Sequence, residues 1–336
     1  MTAQPLLIPP ALHHGSRVAI VTPSGVVKPE FVEGAVEALS LCDFEPVLSP
    51  HCNEQSPRCY GVIATAGTPE HRLDDLLWAL TDPSIDAIFC ARGGYGAVHL
   101  LPQLDLALIR RACKWLIGFS DITALHAAWA AAGVASIHGP MARHLSQWGC
   151  DDSCVQAMCR LLVHQPITIY SPMNELNRAG SVTAPLVGGN LAVMASLIGT
   201  QWDTLIRPGT ILFIEDIGEE VYRVERTLLQ LRNSGRLSHL AGLIAGRFTG
   251  YHDNPTADAM QHMIADIVSP YDYPLALDFP AGHIDYNQPL LLGPPATLVV
   301  DKNGVTRVTS LNLGCGSANS SKLGLRSPCT RFRELS

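Results

Sequence analysis

Four short segments carry residue types that could do chemistry together. In Gly118-Phe119-Ser120-Asp121 an apolar run, Lys114–Phe119, stops at a small-residue turn before a helix-prone stretch. A hydroxyl there would be exposed, rigidly held and backed by helix-terminal amides, as a nucleophile requires. The pattern falls short of G-x-S-x-G, because position 122 is Ile. A Ser-Asp cap for the following helix accounts for the same residues. Arg92-Gly-Gly-Tyr-Gly96 follows another apolar run. Its glycines would let backbone amides approach an anion or oxyanion closely, or simply form a tight turn. It matches neither G-x-G-x-x-G nor the phosphate-binding loop with its Lys.

Two more segments could complete a relay. Ile214-Glu215-Asp216 ends an apolar strand-like run. A carboxylate there is placed to orient a histidine or to cap a helix. Asp216 would point to the opposite side if the strand's alternation continues, and Glu219 and Glu220 are nearby competitors. Pro280-Ala-Gly-His283-Ile-Asp285 follows the run LALDF, and a histidine beside glycine suits a general base. Among the other histidines His138, in SIHGP, is the main competitor, and His126 and His144 fall on helical patterns. Ser, carboxylate and His are the parts of a nucleophile, base and orienting acid.

The elements that must position these residues alternate. Strands are expected at Arg17–Val21, Glu45–Leu48, Ala87–Cys90, Lys114–Phe119 and Ala135–His138. Helices are expected at Pro29–Cys42, Pro69–Leu80, Leu106–Ala112, Asp121–Ala132 and Asp151–Val163. That order predicts an α/β fold with a doubly wound, parallel N-terminal sheet whose ligands gather at the strands' carboxyl ends. The polar stretch Ser171–Ser181 reads as a linker between units 1–170 and 182–313. In the second unit strands are expected at Thr210–Ile214, Gly242–Gly246 and Leu275–Phe279, with helices at Leu191–Gly199, Val221–Asn233 and Thr256–Val268. Its β-rich end is Leu290–Leu292 and Thr297–Val300, with a Lys302-Asn-Gly304 turn. Residues 314–336 lack apolar periodicity and read as an unpacked tail.

Composition narrows the class. The 336 residues are 47% hydrophobic and 16% charged, which excludes disorder and supplies a sizeable core. A formal charge of −7 disfavours nucleic acid as a partner. No signal peptide or membrane span is legible, so a cytoplasmic protein is expected. The ten cysteines contain no CxxC, and Cys150, Cys154 and Cys159 have no paired His motif, so reduced thiols rather than a zinc site are expected.

The ordered segments VAIVTPSG, DPSIDAIFCARGGYG, WLIGFSDITAL and IHGPM, followed by LVGGNL, LFIEDIGEEVYRVERTLLQL, GLIAGRF and FPAGHIDYNQPLLLG, resemble the serine LD-carboxypeptidases. This is peptidase family S66, which includes murein-tetrapeptide carboxypeptidases and microcin-C immunity peptidases. The resemblance spans Arg17 to Asn312, and RGGYG is closer to the murein-recycling branch. It implies a Ser120 nucleophile, a Glu215 acid and a His283 base. The implied oxyanion donors are backbone amides at Gly94, chosen over Gly93, and at Asp121. It further implies no metal or organic cofactor, a homodimer, and release of terminal D-alanine from a murein tetrapeptide. The alternatives are cleavage of a peptidyl-nucleotide amide, or non-catalytic peptide binding on the same scaffold.

Overall fold

The computed structural model describes residues 5–56, 64–252, 258–310 and 313. The strands, in chain order, are β1 (Arg17–Val21), β2 (Glu45–Leu48), β3 (Ala87–Cys90), β4 (Trp115–Gly118), β5 (Ser136–His138), β6 (Thr168–Ser171) and β7 (Gly180–Asn190). They continue as β8 (Ile211–Ile217), β9 (Gly242–Thr249), β10 (Leu275–Ala276), β11 (Leu290–Leu292), β12 (Pro295–Val300) and β13 (Thr306–Ser310). The helices are α1 (Pro29–Leu41), α2 (Pro69–Thr81), α3 (Leu106–Ala112), α4 (Thr123–Ala132), α5 (Ala142–Trp148), α6 (Ser153–Leu162), α7 (Leu191–Ser196), α8 (Val221–Asn233) and α9 (Ala259–Ile267).

The first sheet runs β2-β1-β3-β4-β5 in parallel, with β11 added antiparallel at the β5 edge. Its β1 alternates between two cores. Val18 and Ile20 face one with α1, α5 and α6, while Ala19 and Val21 face the other with α2, α3 and α4. Order reverses between β1 and β3, so the loops after these strands flank the crevice where such sheets take ligands. Helix starts follow local chemistry. Thr68 Oγ1 accepts from His71 N at 3.2 Å ahead of Pro69, and Asp152 Oδ1 accepts from Cys154 N and Val155 N.

The second sheet runs β10-β9-β8-β7-β12-β13-β6, parallel through β7 and antiparallel beyond. Both cores continue into it: Leu212 and Ile214 join the core of Ala19 and Val21, and Ile211, Phe213 and Leu298 join that of Val18 and Ile20. The two sheets therefore share their apolar interior, and β11 physically belongs to the first.

Several expected boundaries shift for identifiable reasons. The strand expected to stop at Ile214 runs to Ile217, because Glu215 is a buried acid inside the ladder rather than past it. The strand expected to reach Phe279 stops at Ala276, and Asp278 turns left-handed at φ 57°. The helix expected from Asp121 begins as a 3-10 turn over Ser120–Ile122. The polar stretch 171–181 is built into the second unit. Asn177 Nδ2 donates to Gly304 O and its Oδ1 accepts from Leu277 N, while Arg178 donates to Tyr273 O and Val268 O. Polarity there reflects capping of neighbouring backbone. The expected tail 314–336 and the start of the helix at Thr256 lie outside the described residues.

Because β11 and a large part of each core come from the second unit, a fragment of residues 1–175 is expected to unfold without a cooperative transition in urea. A sharp two-state transition by that fragment would overturn this account of the shared interior.

Candidate active site

Ser120 follows β4 directly. Phe119 is extended at φ −152°, and Ser120 itself is left-handed at φ 64°. A non-glycine residue held there costs on the order of 1–3 kcal/mol and persists only where its surroundings enforce it. The strain turns the hydroxyl out of the sheet at the head of α4. Gly93 makes room for it, since a Cβ on Gly93 would lie 2.8 Å from Ser120 Cβ.

His283 reaches this hydroxyl from the other unit. Its Nε2 lies 2.9 Å from Ser120 Oγ, and its Nδ1 lies 2.6 Å from Glu215 Oε2. A carboxylate can only accept, so Nδ1–H donates to Glu215 and the Nε2 lone pair faces the serine. The histidine side chain is 14% exposed and Glu215 is wholly buried. The histidine's loop is tied by Gly282 N to Asn287 Oδ1, and Phe119 meets the ring edge-on at 4.9 Å.

Glu215 sits where the β8–β9 register shifts between Ile214 and Asp216. Asp216 faces away from the histidine. It accepts from Asn190 Nδ2 and Ala192 N, and from its neighbour Ile217 N. Burial first, and then the Glu215 charge, push the Asp216 carboxyl up to about 6. Asn190 N in turn donates to Thr123 Oγ1 at the start of α4. Gly189 permits this contact, because its Cβ would fall 2.5 Å from Thr123 Oγ1.

No motif in the sequence marks the support beneath the glycine loop. Asp121's carboxylate accepts from Ser24 Oγ at 2.5 Å and from Ala97 N at 2.9 Å. Arg72, 1% exposed, donates through Nη1 to Pro23 O and Gly96 O, tying the loops after β1 and β3 together. Burial lowers the Arg72 pKa, while the Asp121 charge opposes that shift. One signal was available: Arg72 shares the helical face of Leu76 and Ala79 and so falls on the buried stripe.

The competing candidates are engaged elsewhere. His138 is fully buried between Phe119 and Phe213, and burial holds it well below the usual imidazole range. His126 Nε2–H donates to Gly118 O and its Nδ1 accepts from Ser136 Oγ. Glu219 pairs with Arg223 and Glu220 with His252. Among the described residues two groups bring potential metal donors within 4.8 Å: His51, Glu54 and His71, and separately His144, Asp152 and Cys154. Neither includes Ser120, Glu215 or His283. The imidazoles of His51 and His71 stack 4.3 Å apart at 16°, and one ion cannot lie in two parallel ring planes. A cavity of about 1170 Å³ also lies away from the relay.

A hydroxyl, an imidazole and a buried carboxylate in hydrogen-bonded series form the arrangement that serine hydrolases use, here assembled from two α/β units. Comparison with known proteins is specific. Residues 18–139 match the LD-carboxypeptidase N-terminal domain and residues 183–298 the LD-carboxypeptidase C-terminal domain of peptidase family S66. The murein tetrapeptide carboxypeptidase of Pseudomonas aeruginosa is 32% identical over 292 residues, covering 84% of this chain and 92% of that protein. A Streptomyces coelicolor protein provisionally named a carboxypeptidase is 34% identical over 311 residues, covering 90% and 96%. The crystal structure of muramoyltetrapeptide carboxypeptidase from Oxalobacter formigenes superimposes with a TM-score of 0.77 at 28% identity, over 88% of this chain and 98% of that one. An MccF-like protein from Bacillus anthracis, at 24% identity and a TM-score of 0.78 over 91% and 99%, shares the fold. The chain belongs to the S66 LD-carboxypeptidase family.

Two outcomes follow from the two acids. Glu215→Gln puts an amide where His283 Nδ1–H needs an acceptor, and kcat should fall on the order of 10³-fold or more, against a much smaller loss for Asp216→Asn. Equal losses, measured on the same substrate, would mean that the wrong acid has been assigned. Asp216 also shapes stability. Its folded pKa lies above the unfolded value of 3.8, so the stability it contributes is full below about pH 4 and is lost as pH rises through about 6. The native-minus-Asp216→Asn difference in unfolding free energy should therefore decline from pH 4 to 7. A difference that stays flat or increases contradicts the assignment.

Proposed function

We propose that this protein is a serine-type LD-carboxypeptidase that releases terminal D-alanine from murein tetrapeptides. The observation that carries the reading is the continuous Glu215–His283–Ser120 series, with both spacings in hydrogen-bond range and the serine in a strained conformation. Named murein relatives supply the substrate class.

In this mechanism Ser120 Oγ attacks the scissile carbonyl carbon as His283 Nε2 takes its proton. Glu215 holds the imidazole in the tautomer with Nδ1 protonated and stabilises the cation that forms. The tetrahedral intermediate collapses when Nε2–H protonates the departing amine, releasing the D-amino acid and leaving an acyl-serine. A water molecule, deprotonated by the same Nε2, then frees the peptide and restores the serine.

The oxyanion would be held by the amides of Gly94 and Asp121. Gly93 O accepts from Gly25 N at 2.9 Å, so the Gly94 N–H of the same trans peptide points to the opposite side. That side is supported as the serine's by the close approach of Gly93 to Ser120. Asp121 N heads the turn that begins at the nucleophile.

An all-L peptide would turn its terminal side chain toward the wrong wall and carry the carbonyl off the donors. A misplacement of about 1 Å can cost ~10²-fold. The L,D-tetrapeptide should therefore be cleaved at least ~10²-fold better in kcat/KM than its all-L isomer or its C-terminal amide. The pentapeptide, whose last bond is D-to-D, should also be poor. Comparable values across the four peptides would leave a serine hydrolase and remove the LD-carboxypeptidase reading.

A further inference from the structure

At the amino-terminal side of both sheets lies the cavity of about 1170 Å³, between the end of α4, the turn before β8 and the β11–β12 corner. Ligand sites commonly occupy about 300–1,000 Å³, so it can hold a sizeable small molecule. Much of its wall is apolar, including Leu106, Ala131, Val187 and Leu292. Its charge is one-sided: Arg110 and Arg207 line it, and among the described residues no Asp or Glu does.

The two guanidinium groups differ. Arg110 donates to Ala132 O, Gly133 O and Pro5 O, so its charge serves the carboxyl end of α4. Arg207 has no hydrogen-bond partner for its guanidinium among the described residues, and its Nε is shut off from solvent. Burial lowers its pKa. The hydroxyls nearby are committed: Thr204 donates to Ala127 O, Thr210 to Arg207 O and Ser136 to His126. A partly desolvated cation without an acid beside an apolar wall is an unfavourable arrangement unless an anion joins it.

We propose that this cavity is a second binding site, separate from the Ser120 relay, for an amphipathic monoanion whose head group pairs with Arg207 and whose apolar body lies against the α4 wall.

The experiment is a fluorescence titration of the full-length protein with 8-anilinonaphthalene-1-sulfonate, followed by displacement with n-decanoate and with n-decanol. Saturable binding at one site per chain is expected. Decanoate should displace the probe at least about tenfold better than the uncharged alcohol. Arg207→Gln should weaken probe binding by at least about tenfold while peptide hydrolysis and the circular dichroism spectrum stay native. Ala131→Phe, which narrows the cavity and keeps the cation, should weaken it as well. No saturable binding by the native protein, native-like binding by both variants, or equal displacement by alcohol and acid would each overturn the proposal. Hydrolysis is read separately, so failure here leaves the peptidase reading intact and the reverse also holds.

Discussion

The hydrogen bond between His283 Nε2 and Ser120 Oγ joins residues 163 positions apart, in segments that follow strands of different sheets, and it sets the tolerance for the rest of the structure. Such a bond weakens over a few tenths of an ångström, so the two units must be held in register to about that precision. The shared apolar interior does this over a wide area, and β11 does it by joining the first sheet from the second half of the chain. Closest to the relay, Asn190 N bonds to Thr123 Oγ1 three residues beyond the nucleophile. The same asparagine caps α7 through Oδ1 and donates through Nδ2 to Asp216. One residue, through its backbone N–H and its side chain, therefore links the start of α4, the start of α7 and the strand that carries Glu215.

A second constraint acts on the backbone around the serine. The left-handed Ser120 would relax if its neighbours yielded. They are pinned by Asp121, whose carboxylate gathers the loops after β1 and β3, and by Arg72 beneath them. Arg72 bonds to carbonyls, Pro23 O and Gly96 O, rather than to a carboxylate. A buried guanidinium used this way fixes backbone while its charge faces the Asp121 carboxylate. In the proposed mechanism these are the loops that present the oxyanion amides, so their rigidity is what makes the donors preorganised.

Much of this was legible in the sequence because the informative residues interrupt strong patterns. Gly118 to Asp121, Glu215 and His283 each stand where an apolar run ends, and apolar runs are the most readable part of an α/β chain. Arg72 and Asn190 were not legible as support, since their partners are backbone groups of loops distant in sequence. The stretch 171–181 misled because composition cannot separate polar residues that cap a neighbour from polar residues that face water. Asn177 does the former. The extension of β8 through Glu215 was hidden for a related reason. A buried acid reads as a strand end until its partner, here His283, is known.

Charge is distributed between the two ends of the molecule with the same logic. At the carboxyl ends of the strands Glu215 is buried without a cation of its own, and Asp216 beside it is committed to amide donors. His138, behind Phe119, is kept uncharged by burial and then by His126 and His283, so it adds no competing positive charge. In the proposed reaction the imidazolium formed at His283 supplies the missing partner for Glu215 just when the serine gives up its proton. A buried, unpaired charge is costly at rest and most favourable when its counter-charge arrives in a low-dielectric site. At the opposite end Arg207 presents the mirror case, a partly desolvated cation facing a cavity that no acid lines among the described residues. In both places a charge has no opposite formal charge beside it among the described residues of the resting protein, although Glu215 keeps its hydrogen bond to His283: the proposed imidazolium would supply it at Glu215 and the proposed anionic head group at Arg207.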